Sequence, residues 1–328
     1  MKHSTSLDDF AVLFPIERAV VEHIALVRFG TNPNCPKCIG NAHLFLLRTR
    51  RVMSCSQCNY EISVTSGTLL DRSKIPLRTW FYLMLLMSNS SKALSVSFVE
   101  RHLGLSRMAA FRTLSAIRLH LSRRCEGMIQ GGGGQVVQID ETWIPQIKNP
   151  LSPNGAGAIV FGIYSQSGIM TKHIPNRSAA VLIREVLAGT HPDSIFVTDQ
   201  HRSYLGLGRL GFKHISLNHS VAEWSNADGY TTVGIESYWA NLKYFLQSAN
   251  LAPKIAYLDG YLGEHAFRYN CRKAGKCPFR EMIASFPAIA KADLPRSFHF
   301  GKLSKAVKLS TETYKHDHIL ENKRTAIF

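Results

Sequence analysis

The chain has 328 residues, 45% apolar and 19% charged, a globular composition with enough apolar material for a real core. Its charge is lopsided: 39 Lys and Arg stand against 23 Asp and Glu, a net +16 that points to a polyanionic partner, nucleic acid ahead of an anionic membrane surface. The longest apolar run, Trp80 to Met87, is far short of the ~20 residues a bilayer crossing needs, which excludes a membrane-spanning helix.

The opening MKHSTSLDDFAVLFP lacks the basic start, long apolar stretch and cleavage site of a signal peptide, so a cytoplasmic protein with reduced cysteines is expected. Residues 1–30 form a helical lead-in, with Phe14, Ile16, Ala19, Val20, Ile24 and Val27 at helix-like spacing. Residues 31–68 hold two cysteine pairs, Cys35-Pro-Lys-Cys38 and Cys55-Ser-Gln-Cys58. Each CxxC turn presents two thiolates, and the intervening loop is long enough for a hairpin to join the pairs. Four thiolates make a closed tetrahedral shell for structural Zn²⁺, with no open position for catalysis.

Residues 69–130 are helical. Within them, two segments meet at Leu103-Gly104-Leu105-Ser106, and Ser106 can cap the second helix. That pattern predicts a helix-turn-helix with Leu94, Phe98, Val99 and Leu103 inward on the first helix. The second carries Ala109, Ala110, Leu114 and Ile117 inward, with Arg107, Arg112 and Arg118 outward toward DNA. The four glycines Gly131–Gly134 are expected to be a flexible linker.

Strand patterns follow in residues 135–280: Val136–Asp140, Ala158–Tyr164, Ile169–His173, Ile195–Thr198 and His214–Leu217. A helix is expected over Ser178–Leu187 with Ser178 as N-cap, and others over Gly234–Gln247 and Tyr257–Tyr269. This order predicts an α/β domain, a mixed sheet covered by helices. Residues 281–328 are expected to be a basic C-terminal tail.

Asp140 and Asp199 each stand at the end of a predicted strand, where a carboxylate is costly unless paired or metal-bound. On neighbouring strands they converge at one sheet edge. Glu236 opens the helix Ile235-Glu-Ser-Tyr-Trp-Ala-Asn-Leu-Lys243, and Lys243 follows about two turns later on the same face. Such hard oxygen ligands suit Mg²⁺ or Mn²⁺, and a pair of these ions serves phosphoryl transfer. Lys243 then meets the negative phosphate.

Taken in order, these segments resemble the zinc-ribbon insertion-sequence transposases with an RNase H-like DDE catalytic domain. The stretches that carry the resemblance are Cys35–Cys58, Thr65-Ser-Gly-Thr68, Ile75-Pro-Leu-Arg-Thr-Trp80, Leu103-Gly-Leu-Ser106, Gln138-Ile-Asp140-Glu-Thr142, Thr198-Asp199 with Tyr204, His214, His219, Ile235–Lys243 and Phe267-Arg-Tyr-Asn270. They cover roughly residues 15 to 275. The resemblance implies Asp140, Asp199 and Glu236 as ligands of catalytic Mg²⁺ or Mn²⁺, with Lys243 as the accompanying basic residue. It implies a transposase that binds element ends and cleaves and joins DNA, as a dimer or higher assembly on DNA associated with the nucleoid. Val233 departs from the pattern, standing where such proteins often carry Asn three residues before the Glu. Glu141, Lys148, His219 and Asn241 are secondary candidates. Two rival readings share part of these features: a DNA-binding regulator that needs no acids, and an RNase H-like nuclease that cuts without joining.

Overall fold

In the computed structural model, which describes residues 4–38, 42–150, 155–217, 229–247 and 253–289, the chain opens on two short helices, α1 (Leu7–Leu13) and α2 (Glu17–Phe29). Ser6 starts α1 with a reciprocal cap: its hydroxyl accepts from the Asp9 N–H while the Asp9 carboxylate accepts from the Ser6 N–H. An antiparallel three-stranded sheet follows, β1 (Leu44–Leu46), β2 (Val52–Cys55) and β3 (Glu61–Ser63). The predicted long helical region is three helices, α3 (Leu77–Asn89), α4 (Val96–Leu103) and α5 (Arg107–Cys125). Gly104 ends α4 in the left-handed region at φ 63°, where a side chain is strained, and Ser106 caps α5 through the Ala109 N–H.

The second sheet contains β4 (Val136–Lys148), β5 (Ala156–Ser165), β6 (Gly168–Ile174), β7 (Ile195–Asp199) and β8 (Lys213–Leu217) in the order β6-β5-β4-β7-β8. The first three strands form an antiparallel meander, and β7 and β8 then add in parallel to β4. This is the RNase H-like arrangement. The helix α6 (Ala179–Gly189), capped by Ser178 as expected, makes the crossover to β7, and α7 (Leu205–Arg209) leads from β7 to β8. The helices α8 (Val233–Gln247), α9 (Leu258–Lys273) and α10 (Pro278–Ile283) follow among the described residues.

Strand alternation sorts β4 between two cores. Val137 and Ile139 face α6 with Phe161, Ile163, Leu182 and Phe196. Ile144 and Ile147 face α8 and α9 with Val160, Trp239, Leu242 and Leu262. A third core lies in the N-terminal half, and the C-terminal segment enters it: Phe279, Met282, Ile283, Phe286 and Ile289 pack with Phe10, Phe14, Phe81 and Leu121. Residues 281–289, expected as the start of a basic tail, are therefore core. Among the described residues, no helix is long and apolar enough to cross a membrane.

Two further expectations are corrected here. Val136–Asp140 is the first part of a longer strand, because the alternation continues through Ile144 to Lys148 along β5. The glycine run is no loose linker: Gln130 is buried and bridges Thr190, the Gly132 N–H reaches Ser194 Oγ, and a Cβ on Gly131 would lie 2.2 Å from Ser194 Oγ. Gly131 is there for close approach as much as for its φ of 85°.

Candidate functional site

The four cysteines are drawn together by the small sheet. Cys35 precedes β1, Cys55 ends β2, and the bridge Asn34–His43 closes the loop between them. Cys35 and Cys58 sulfurs are 3.7 Å apart, as are those of Cys38 and Cys55, and all four lie within 4.8 Å of one another. Four sulfurs at ~2.3 Å from a tetrahedral centre stand roughly 3.8 Å apart, so the spacing fits Zn²⁺. Backbone N–H groups of Cys58 and Gln57 push the Cys55 thiol down to about 6 by stabilising its thiolate. Cys38 is pushed up to about 12, first by its hydrogen bond with the Cys58 sulfur.

Asp140 and Asp199 stand on neighbouring parallel strands. Val136, Val137 and Gln138 of β4 pair with Ile195, Phe196 and Val197 of β7 in parallel. That pairing ends two residues before each aspartate, and the Asp199 charge still acts on the Asp140 carboxyl. Trp239 of α8 reaches Asp140. Its indole N–H donates to Asp140 Oδ2 at 2.8 Å. The ring fits because β5 has Gly162 opposite Asp140: a Cβ there would lie 2.5 Å from the ring. The N-terminal end of α8 is fixed as closely, with the Ile235 N–H donating to Gln138 Oε1 at 2.9 Å. Glu236 lies in the first turn of α8, with Thr232 Oγ1 donating to its Oε1 at 2.7 Å. Lys243 is half-buried further along the same helix. Val233, in the departing position, is the exposed first residue of α8.

Loss of surrounding water pushes the Asp140 carboxyl up to about 7. The Trp239 N–H opposes the shift, while the charges of Glu141 and Asp199 reinforce it. Among the described residues, the cysteines are the only group of three or more metal-ligating side chains whose ligand atoms are gathered closely; Asp140, Asp199 and Glu236 form no such group.

Glu141 points to the opposite face. Tyr204 Oη donates to its Oε2 at 2.5 Å, and Arg177 Nε lies 3.5 Å from its Oε1. Burial raises the Glu141 carboxyl above its usual range, against the Tyr204 hydrogen bond.

The three arginines expected to project from the second helix separate. Arg107 and Arg112 are exposed, and Arg107 pairs with Glu100 at 3.3 Å. Arg118 is buried, donating to Glu264 Oε2 of α9 at 2.8 Å and to the Leu94 carbonyl at 3.0 Å. The correction has a physical reason. Arg118 directly follows Ile117 at the edge of the buried stripe, and Glu264 supplies the counter-charge that makes its burial tolerable. Phe98, expected inward, is partly exposed and stacks on His102. Lys148 lies at the far end of β4, its N–H on the Pro253 carbonyl, and Asn241 is exposed and bonds back to Ser237 O. His214 bonds Thr198 Oγ1 at 2.9 Å, while His219 lies outside the described residues. Of the Phe267–Asn270 stretch, Arg268 joins the Glu264 pair, and Asn270 bonds both the N–H and carbonyl of Ile169 in edge strand β6.

Sequence reasoning gave no role to Trp239 or Arg177. A Trp three residues after Glu236 shares its helix face, and that spacing was the available signal for Trp239. Arg177 has no sequence-local signal, because only the fold brings it to Glu141.

Residues 15–61 match the transposase zinc-ribbon domain family, and residues 130–270 match the ISXO2-like transposase domain family. An uncharacterized transposase-like protein of Haemophilus influenzae is 34% identical over 102 residues, covering 31% of this chain and 80% of that protein. Among solved structures, the chain is similar to the Mos1 strand transfer complex (12% identity over 69% of this chain and 82% of that one, TM-score 0.22). It is also similar to a pre-cleavage Mos1 transpososome (10% identity, 66% and 78%, TM-score 0.20). Four gathered sulfurs, a strand-borne pair of aspartates in an RNase H-like sheet and two family matches in the same order lead to one conclusion: the chain belongs to the ISXO2-like insertion-sequence transposases with an N-terminal zinc ribbon.

Proposed function

We propose that this transposase binds the ends of its element and carries out DNA cleavage and strand transfer at Asp140, Asp199 and Glu236. The observation that carries the reading is the parallel pairing of β4 with β7, which runs to two residues before each of Asp140 and Asp199, with the Glu236 helix pinned to Asp140 through Trp239. The donor set fits Mg²⁺ or Mn²⁺: three carboxylates are hard oxygen ligands, and a partly buried Asp140 crowded by like charge is the group a cation would relieve. When bound, such ions supply Lewis acidity and charge neutralisation to phosphoryl transfer. Asp140, Asp199 and Glu236 hold them, Trp239 fixes the orientation of Asp140, and Lys243 meets the phosphate oxygens. The chemistry is hydrolysis of a phosphodiester at the element end, followed by attack of the freed 3′-hydroxyl on a target phosphodiester.

The zinc ribbon and the α4–α5 helix-turn-helix, through Arg107 and Arg112, read the element ends, and work on two ends calls for a dimer or larger assembly. The experiment is incubation of the full chain with Mg²⁺ and DNA containing the sequences that flank its gene. Nicked and joined products are expected from the wild type and none from Asp140→Ala, Asp199→Ala or Glu236→Ala, each of which keeps DNA binding. Full activity in Asp140→Ala overturns the reading, and nicks without joined products reduce it to a nuclease.

A further inference from the structure

Around the end of β7 from Asp199 lies an open cleft of about 550 Å³, lined by Arg177, Ser178, Ala179, His201, Arg202 and Ser203. Its lining holds two guanidinium groups and no carboxylate. Arg202 is exposed, with no ion pair or hydrogen bond from its side chain among the described residues. Arg177 is held from within: its Nε lies 3.5 Å from Glu141 Oε1, whose other oxygen takes the Tyr204 hydroxyl at 2.5 Å. Both Glu141 oxygens are thus engaged, and its side chain is 3% exposed, so it is a fixed anchor for Arg177. The hydroxyls in the wall are already used, Ser178 in capping α6 and Ser203 on the Arg177 carbonyl at 2.8 Å. The cleft adjoins Asp199, because the His201 N–H donates to Asp199 Oδ1 at 3.0 Å.

The geometry points to a phosphate-binding subsite in which Arg177 and Arg202 grip a backbone phosphate of the DNA strand beside the one at Asp140 and Asp199. This rests on the DNA-cleaving reading above. Two guanidiniums facing one cleft match a phosphodiester oxygen pair, and the one ring in the lining, His201, is tied back by the Ser203 N–H on its Nδ1. The subsite therefore holds backbone and reads no sequence. Glu141 acts through Arg177 as a positioning residue.

The test measures the salt dependence of binding of the full zinc-loaded chain to a fluorescent 30-base-pair duplex of arbitrary sequence. Each lost phosphate contact lowers the slope of log affinity against log salt by about one. Because both side chains serve one phosphate, Arg177→Gln/Arg202→Gln is expected to lower it by about one in total and Arg202→Gln by a measurable part of that. Arg209→Gln, an equal charge change on exposed α7 outside the cleft, is expected to leave it unchanged. Because Arg202 supports nothing else, its variant tests the cleft without a change of fold. A steep wild-type slope that is the same in Arg202→Gln, or lowered equally by Arg209→Gln, overturns the subsite alone. A wild type that binds no DNA overturns the parent reading with it.

Discussion

Trp239 donates its indole N–H to Asp140 Oδ2 at 2.8 Å across a gap that Gly162 leaves open. One hydrogen bond thereby aims a carboxylate and fastens the Glu236 helix to the sheet. A hydrogen bond to a charged group contributes about 1.5–3 kcal/mol, so Trp239→Phe is expected to slow DNA nicking tenfold or more and to raise the Mg²⁺ concentration needed. Gly162→Ala should act in the same direction by displacing the ring. Nicking rates against Mg²⁺, with circular dichroism as the folding control, check both; unchanged metal dependence in Trp239→Phe would sink the positioning role.

The sulfur spacing predicts one zinc per chain. Elemental analysis of protein purified without chelator should find it, and Cys38→Ser should lower the content and unfold the N-terminal sheet at a lower temperature. The second sheet, with its own cores, should keep its near-ultraviolet signal.

Arg118 is a matter of stability. Its side chain is 5% exposed and that of Glu264 is 0% exposed. Breaking a buried pair from one side costs about 3–5 kcal/mol. Arg118→Ala is expected to lower the unfolding free energy by about that much, while Arg112→Ala leaves it unchanged and weakens DNA binding. Denaturant titration of the two variants separates the roles.

Two buried histidines set an acid limit. Burial lowers His120 to about 4 and His265 to about 3, below the ordinary 6.5. The folded pKa is depressed, so their stabilising contribution is complete above 6.5 and is lost as pH falls toward 4. By pH 5 each costs roughly 2 kcal/mol. Melting temperature should drop between pH 7 and 5, and His120→Gln should flatten that drop. An equal drop in the variant would remove His120 from the account.

Much of this molecule was legible in the sequence because the signals were local. Ser106 and Ser178 cap the helices they were expected to cap, and the CxxC spacing gathers four sulfurs. Strand alternation located all five strands of the second sheet, although β4 runs further than its first apolar segment suggested. What failed was non-local. A basic face looks solvated unless one knows that Glu264 waits across the interface for Arg118. Four glycines look slack unless one knows that Ser194 presses on Gly131. The Arg177–Glu141 pair joins residues whose meeting is decided by the sheet, and no periodicity encodes it.

The return of the chain's far end into its beginning bears on how such a gene decays. Phe279 is fully buried between Phe10 and Phe14. A premature stop between the glycine run and Phe279 removes that aromatic plug and exposes the apolar face it covered. Under the function proposed above, a chain ended before Pro278 is then expected to melt at a lower temperature and not to compete with the full chain for element ends.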